Sequence, residues 1–239
     1  MKADFSRTAL LIGDDGLQRL AASRVLVAGV GGVGSYAVEG LARAGAGSLT
    51  LIDGDTIHPS NSNRQLHALT STIGQAKVAV MTERLRLINP GLQVTQLQEL
   101  ITPDNVAVLL DPGYDLVLDA IDTFNAKLAL LQGCVERRIP VISSMGAAGK
   151  LDPTRIQIAD IADSQGCRLA RKLRKELRRG GVSSGVTVVY SDEPCRTDRL
   201  GEPEAEGERR PLGSISYLPA TFGLFMVSEA IRQLLPQYR

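Results

Sequence analysis

The stretch Arg24–Gly34, RVLVAGVGGVG, joins a short β-branched run directly to a glycine-rich turn. The run at Arg24–Gly29 predicts a buried strand, and the residues that follow, Ser35–Arg43, carry a helical pattern. In a strand–turn–helix unit of this kind, glycines let the backbone approach phosphate groups at the positive end of the helix. The unit therefore predicts a nucleotide site. Its expected backbone contacts are Gly29, Gly31, Gly32 and Gly34.

Strands and helices alternate on the C-terminal side of this unit. We predict strands at Ser48–Asp53, Leu92–Leu97, Tyr114–Ala120 and Pro140–Ser144. We predict helices at Gly74–Asn89, from Thr102 as N-cap onward, and at Thr123–Arg137. This alternation predicts an α/β fold, with a Rossmann-like, doubly wound and mostly parallel sheet joined by right-handed crossovers.

The pattern changes after Gly149, where we expect a C-terminal α+β extension. Its predicted elements are a strand at Thr154–Ala159, a basic helix at Cys167–Arg179, a strand at Val186–Tyr190, a strand at Gly213–Leu218 and an apolar helix at Ala220–Leu235. The charged, aperiodic segment Ser191–Pro211 predicts a mobile loop. We expect residues 1–150 to bind the nucleotide, and residues 151–239 to bind the substrate and support dimerisation within one continuous domain.

Composition narrows the class of protein. The chain has 239 residues, of which 44% are hydrophobic and 22% charged, and this excludes a disordered or coiled-coil protein. Its 27 Lys and Arg balance 26 Asp and Glu, so any nucleic-acid surface must come from local clustering. Three cysteines without a CxxC pair exclude a four-cysteine zinc site. The chain has neither a signal-peptide core at its start nor an apolar run of the ~20 residues that a membrane span needs, so we expect a cytoplasmic protein.

Polar residues after the second predicted strand favour a triphosphate over NAD as the ligand. Asp53 ends that strand, where its carboxylate can accept hydrogen bonds from ribose hydroxyls. The donors that a triphosphate needs follow, together with Lys77 as a point charge near a helix start. The expected ATP contacts of this segment are Asp53, Asp55, Asn61, Asn63, Arg64, Gln65 and Lys77.

Two carboxylates, Asp119 and Asp122, bracket the end of the fourth predicted strand. Ligands of open α/β sheets bind at the carboxyl ends of the strands. Mg²⁺ prefers one or two carboxylates together with phosphate oxygens. We therefore expect a carboxylate of this pair to suit Mg²⁺, and both Asp119 and Asp122 to lie at the ATP site.

Five ordered motifs carry a family resemblance: GVGGVG, LIDGD, SNSNRQ, IGQAKV and DAIDT. Together they resemble the ubiquitin-activating-enzyme-like superfamily of ATP-dependent adenylyltransferases, over roughly Phe5–Arg179 and Gly213–Leu235. The resemblance implies that a carboxylate attacks the α-phosphate of ATP, giving an acyl-adenylate and pyrophosphate. It also implies a homodimer that inserts an N-terminal arginine into the neighbouring site. The implied catalytic residues are Arg7, Arg64, Lys77 and Asp122, of which Asp122 would hold Mg²⁺.

Two sequence features indicate which substrate carboxylate is activated. Members that activate sulfur-carrier proteins usually carry two CxxC pairs, which this chain lacks. The segments SSMGAAGKLDPTRIQIADI and CRLARKLRKELRR instead resemble the tRNA threonylcarbamoyladenosine dehydratases. That resemblance implies a threonylcarbamoyl carboxylate on an adenosine beside the tRNA anticodon, with ring closure and overall loss of water.

The predicted helix Cys167–Arg179 carries more positive charge than a solvated amphipathic helix needs. Leu169, Leu173 and Leu177 form its apolar stripe. We expect tRNA phosphates to contact Arg168, Arg171, Lys172, Arg174, Lys175 and Arg178. The chain has four Phe, five Tyr and no Trp, so base stacking should be a minor part of RNA binding.

Alternatives remain open at this point. The chain could be an adenylyltransferase for a small carrier protein with a Gly-Gly tail, or a non-catalytic sulfur-relay adaptor that binds a cysteine desulfurase. Cys167 could form a thioester or be a plain cysteine, and His67 could line the nucleotide pocket or make a structural hydrogen bond. For the C-terminal helix, packing in a core or at a subunit interface is favoured over a membrane surface.

Overall fold

The computed structural model describes residues 4–198, 201 and 212–235, and it contains one seven-stranded sheet of order β3-β2-β1-β4-β5-β7-β6. The neighbouring strands are parallel except for β6, which pairs antiparallel with β7. The α/β, mostly parallel prediction is confirmed. The strands are β1 (Arg24–Ala28), β2 (Ser48–Ile52), β3 (Gln93–Leu97), β4 (Leu116–Asp119), β5 (Val141–Ser144), β6 (Ile156–Asp160) and β7 (Thr187–Ser191).

Helices cover both faces of the sheet, as a doubly wound fold requires. They are α1 (Ser6–Ala22), α2 (Gly34–Ala44), α3 (Lys77–Ile88), α4 (Val106–Leu110), α5 (Phe124–Glu136), α6 (Arg168–Arg179) and α7 (Tyr217–Leu234). Val38 of α2, Met81 of α3 and Phe222 of α7 share one core cluster. Leu110, Leu130 and Leu173, from α4, α5 and α6, belong to a second cluster on the other face. The core packing expected for the C-terminal helix is therefore confirmed.

The strand order reverses between β1 and β4, and this crevice positions the site. The chain runs outward from β1 to β2 and β3, then returns to place β4 on the other side of β1. Ala28 pairs with Ile52 of β2 and with Asp119 of β4, so three strands end side by side. Ligands of such sheets bind outside the carboxyl ends of the strands at the reversal point.

Three local elements differ from the sequence predictions. Helix α1, which is kinked at Gly13 (φ 68°), was not predicted. Helix α4 begins at Val106 rather than after a Thr102 cap, because the Thr102 carbonyl accepts the Asn105 and Val106 amides and closes a turn first. The strand predicted at Gly213–Leu218 was wrong, since α7 already begins at Tyr217.

The two predicted regions, 1–150 and 151–239, share one sheet, because β7 of the second region lies beside β5 of the first. The first residues after β7, where the predicted mobile loop begins, are hydrogen-bonded to the residues around Gly149. The Glu193 carboxylate accepts the backbone amides of Leu151 and Asp152, and the Arg196 amide donates to Gly149. The rest of the predicted loop, 199–200 and 202–211, lies outside the described residues. In the part of the chain that the structure describes, no helix is long and apolar enough to cross a membrane.

Candidate functional site

The glycine turn between β1 and α2 needs glycine at two positions for steric reasons. Gly29 has φ 85°, and a Cβ there would lie 2.8 Å from the Ala120 carbonyl oxygen at the end of β4. A Cβ on Gly34 would collide with the Gly29 carbonyl. By contrast, a Cβ on Gly31 would meet only the Gln65 amide nitrogen, at 3.8 Å. The turn is therefore tight underneath and open above, which suits the close approach of a phosphate group.

Asp53 fixes this turn from the end of β2. Its carboxylate accepts the Val30 amide at 2.7 Å and the Asp55 amide at 2.9 Å. Burial raises the pKa of Asp53, and the nearby charge of Lys77 opposes the rise. The predicted ribose ligand thus lies beside the glycine turn and also holds its backbone.

Lys77 is the first residue of α3, and its ammonium lies near the carboxylates of Asp53 and Asp55. Its Nζ lies 2.6 Å from Asp55 Oδ2 and 3.8 Å from Asp53 Oδ1. The lysine side chain is buried, but Asp55 is 59% exposed. The ammonium therefore has one partner that incoming phosphate oxygens can replace without opening the core.

Arg64 lies beside the turn on the segment that follows a 3₁₀ turn at Pro59–Asn61. Its Nη1 donates to the Ser60 carbonyl at 2.8 Å and to Asn63 Oδ1 at 2.9 Å, and a Cβ on Gly32 would lie 3.4 Å from its Cγ. Asn63 also donates to the Ser214 carbonyl. Both ends of the Asn63 amide are thus engaged by the protein, so Asn63 orients Arg64 and ties this segment to the C-terminal part.

Asn61 is buried in the same segment, and its Oδ1 accepts the His58 amide at 3.0 Å. This hydrogen bond closes the 3₁₀ turn, so Asn61 shapes the segment that carries Arg64.

Gln65 and His67 are buried polar residues with unused hydrogen-bonding atoms. Among the described residues, Gln65 Oε1 and both His67 ring nitrogens have no hydrogen-bond partner. Burial, together with the charge of Lys77, lowers the pKa of His67 to about 4. Unpaired buried polar atoms are costly, so these positions fit a site completed by a ligand or water. Of the two alternatives for His67, the structural hydrogen bond is not found among the described residues.

The nucleotide role predicted for Asp119 is corrected by the structure. Asp119 is fully buried, and its carboxylate lies 2.6 Å from Lys127 Nζ and 2.6 Å from Ser143 Oγ. It is an interior ion pair with no surface for ATP. The signal that sequence reasoning missed is Lys127, a lysine on the apolar face that α5 presents with Leu130 and Cys134.

Asp122 is exposed in the turn between β4 and α5. The buried pair supports this turn, because Asp119 Oδ1 accepts the Ile121 amide at 3.1 Å. Within the described ranges, no group of three or more His, Cys, Asp or Glu side chains is arranged so that it could hold a metal ion. A single exposed carboxylate fits a Mg²⁺ ion whose other ligands are phosphate oxygens and water.

Arg7 is not brought to the glycine turn of its own chain. Phe5, two residues earlier, packs at 3.6 Å from where a Cβ on Gly45 would lie, just beyond the C-terminal end of α2. The glycine turn is at the other end of α2, about 16 Å away for an eleven-residue helix. Arg7 therefore starts from the opposite edge of the sheet.

The basic helix α6 presents most of its predicted cations to solvent. Its stripe of Ala170, Leu173 and Leu177 is buried, and Cys167 Sγ accepts the Ala170 amide, so this cysteine caps the helix. Of the predicted RNA contacts, the structure exposes Arg168, Arg171, Lys172, Lys175 and Arg178.

Arg174 differs from the other cations of this helix. It is half-buried, and its Nη1 donates to the Ile161 carbonyl at 2.9 Å, to the Ser164 carbonyl at 2.8 Å and to Ser164 Oγ at 2.9 Å. Arg174 therefore holds the β6–α6 connection, and its contact with RNA phosphates stays a prediction. The helical period alone does not distinguish it from Lys175.

Lys172 links the basic helix to the end of β4. Its ammonium lies 3.8 Å from the centroid of the Phe124 ring. Both residues line a cleft of about 450 Å³ that also contains Asp122. The exposed Lys172 and the exposed Asp122 therefore meet at one opening.

Comparison with known proteins identifies the family of this chain. The model of the ThiF family matches residues 5–238. The chain belongs to the ThiF family. This ThiF-family chain is 44% identical to the tRNA threonylcarbamoyladenosine dehydratase of Bacillus subtilis, over 98% of this chain and 96% of that protein. It is also 36% identical to the molybdopterin-synthase adenylyltransferase of Escherichia coli, over 72% of this chain and 68% of that protein.

Solved structures place this ThiF-family chain in the same group. The crystal structure of Escherichia coli tRNA N6-threonylcarbamoyladenosine dehydratase in complex with ATP has a TM-score of 0.88 and 40% identity, covering 98% of this chain and 94% of that chain. The complex of that enzyme with AMP gives the same TM-score at 41% identity. The resemblance drawn from the five motifs is confirmed.

Proposed function

We propose that this chain is an ATP-dependent tRNA threonylcarbamoyladenosine dehydratase. One observation carries the proposal: Lys172 of the basic helix and Asp122 of the nucleotide edge line the same cleft. A carrier-protein adenylyltransferase needs no row of exposed cations beside its site. The near full-length similarity to proteins of that name supports the same activity.

The adenylation step needs cations around the triphosphate. The threonyl carboxylate attacks the α-phosphorus of ATP, a new P–O bond forms, and the bond to pyrophosphate breaks. Lys77 and Arg64 balance the charge that develops on the phosphates, while Asp53 accepts the ribose hydroxyls. Asp122 would hold Mg²⁺, which supplies further charge neutralisation when bound.

Ring closure follows within the substrate. A nitrogen of the threonylcarbamoyl group attacks the activated acyl carbon and loses its proton, and the C–O bond to AMP breaks. The oxygen that the nucleoside loses leaves with AMP, so the overall change is loss of one water. Because the attack is intramolecular, it has a high effective molarity, and the protein need only position the reacting groups.

We propose a homodimer in which Arg7 completes the neighbouring site. Arg7 starts at the edge opposite its own glycine turn, and on the same helix Leu10 and Leu11 are 79% and 83% exposed. An Arg7→Ala variant and a Lys77→Met variant should each be inactive alone. Mixed dimers should regain about a quarter to a half of the wild-type activity, because one of their two sites keeps both residues. Purified heterodimers without activity would contradict the arrangement.

We also propose a division of roles along the chain and a location of the protein in the cell. Residues 1–150 supply the nucleotide site and residues 151–239 the RNA-facing helix α6 and part of the dimer contact. We place the protein in the cytoplasm, where tRNA is found. A contact with a cysteine desulfurase would be additional to catalysis, since the cations and carboxylate of an adenylating site are all present.

The decisive experiment is mass spectrometry of nucleosides from threonylcarbamoylated tRNA incubated with the protein. Loss of one water that requires both ATP and Mg²⁺ is the expected result. An unchanged nucleoside, with pyrophosphate exchange on a carrier protein, would instead establish the carrier-activating alternative. No exchange with any acceptor, together with binding to a desulfurase, would establish the adaptor.

A further inference from the structure

The cleft between the start of α5 and α6 contains more than the adenylation carboxylate. It measures about 450 Å³ and is lined by Asp122, Thr123, Phe124, Asn125, Leu169 and Lys172. Phe124 is the aromatic residue of this lining and is half-buried at the first position of α5. One face of its ring is covered by the Lys172 ammonium, 3.8 Å from the centroid.

This cation–π contact is of a kind that a nucleobase can replace. Lys172 is exposed on a flexible four-carbon stem, so its ammonium can leave the ring without disturbing the core. A nucleobase can place its π-face on the ring of Phe124 in place of the ammonium. Stacking on aromatic rings is the usual way in which proteins hold bases from single-stranded loops. The displaced ammonium then becomes available to a phosphate.

The neighbouring charges indicate RNA as the source of the base. Arg168 and Lys175 lie one helical turn on either side of Lys172, on the same face of α6. Both are exposed. A phosphate backbone that follows this row of cations therefore passes the mouth of the cleft that holds Phe124 and Asp122.

The sheet order favours a base other than the adenine of ATP at Phe124. Asp53, the predicted ribose ligand, follows β2, and Phe124 follows β4 on the other side of β1. Two strand spacings, about 10 Å, separate the ends of β2 and β4. The response of the cleft to ATP alone distinguishes the two bases.

We infer that Phe124 is the stacking surface for the modified adenine of the RNA substrate, and that Lys172 moves from the ring to the RNA backbone when this base enters. The inference rests on the proposed function, because it needs an RNA substrate. Phe124 is a binding and positioning residue: the stacked base leaves its threonylcarbamoyl group at the side of the cleft where Asp122 lies.

The first test uses the absence of tryptophan from this chain. In a Phe124→Trp variant the indole is the chain's single tryptophan, so its fluorescence reports on this cleft. An anticodon stem-loop RNA carrying threonylcarbamoyladenosine, added without ATP, should quench it by stacking. ATP alone should not. The matched control is Leu87→Trp, at a position that is 86% exposed on α3, and its fluorescence should not change.

Two fluorescence results would overturn the inference. Quenching of Trp at position 124 by ATP alone would assign the ring to the cofactor's own adenine. RNA binding, measured by filter retention, without quenching would place the base elsewhere.

The second test is kinetic. Phe124→Ala should raise the KM for the modified tRNA about 5- to 100-fold with little change in kcat, because one stacking contact is lost. Phe124→Tyr should restore the wild-type KM, and the Kd for ATP should be unchanged in both variants, which also reports an intact fold. An altered Kd for ATP, or an unchanged KM for tRNA, would refute the role of Phe124.

The proposed function and the role of Phe124 can be tested separately. If the wild-type protein does not dehydrate the tRNA nucleoside, the proposed function fails together with this inference. If the wild-type protein does so and Phe124→Ala retains the wild-type KM, only the inference about Phe124 fails.

Discussion

Two lysine–aspartate pairs lie at the same edge of the sheet, and they differ in burial. Lys127 and Asp119 are both 0% exposed, and Ser143 Oγ and the Ser144 carbonyl accept the other two hydrogen bonds of the Lys127 ammonium. Lys77 is nearly as buried, at 7% exposed, but Asp55 is 59% exposed. The first pair cannot exchange partners without unfolding, whereas the second can. The same residue types therefore form a structural support in one place and a ligand site in the other.

Breaking the buried pair should have the largest effect. We expect Lys127→Met to lower the free energy of unfolding by about 3–5 kcal/mol, because it leaves the Asp119 carboxylate buried without a counter-ion. The double variant Asp119→Asn/Lys127→Met removes that charge and should be more stable than Lys127→Met alone. Urea unfolding of both variants measures the difference. A double variant as unstable as the single one would contradict the ion-pair account.

Removing Lys77 should affect activity rather than stability. We expect Lys77→Met to reduce ATP-dependent AMP formation about 10²- to 10³-fold, the range seen when one preorganised charge-stabilising group is lost. Its unfolding free energy should fall much less than that of Lys127→Met, since Asp55 is exposed to water. Equal destabilisation of the two variants would contradict the distinction between a structural pair, Lys127 and Asp119, and a ligand site at Lys77 and Asp55.

The pH dependence of stability should sharpen the comparison, because Lys77 helps to lower the pKa of His67 to about 4. His67 is buried and neutral in the folded state but titrates near 6.5 when unfolded. The unfolded state binds the extra proton between these values, so stability should fall as pH drops from 6.5 to 4, by at most about 3 kcal/mol. His67→Leu should lack this step in urea unfolding measured across that range. A profile identical to wild type would contradict the assignment.

The smallest effects are expected on α6, where Arg174 and Lys175 repeat the contrast between buried and exposed charge. Arg174→Ala loses three hydrogen bonds and should cost about 1–2 kcal/mol of stability, without changing the salt dependence of tRNA binding. Lys175→Ala should leave stability unchanged and reduce the slope of log K against log salt by about 1. Filter binding at several salt concentrations, together with thermal unfolding, separates the two. Equal slopes for both variants would remove Lys175 from the RNA surface.

The residue pattern predicted the parts of the fold that depend on local chemistry. The strand–glycine–helix unit, the ordered polar segment and the alternation of strands and helices were all readable, because spacing and turn geometry determine them. The pattern could not assign Asp119 and Asp122, since two carboxylates three residues apart differ only in which one the sheet buries. Helix α1 was missed because Gly13 and Gly16 interrupt its helical pattern, and the helix is kinked at Gly13.

Gly149 has a consequence for how this architecture can vary. Its carbonyl accepts the amide of Arg196, and its own amide donates to the carbonyl of Gly213. The chain therefore departs from and returns to a single residue around the segment 197–212. Both contacts use backbone atoms only, so the anchoring of the chain at Gly149 does not depend on which side chains the segment 197–212 carries.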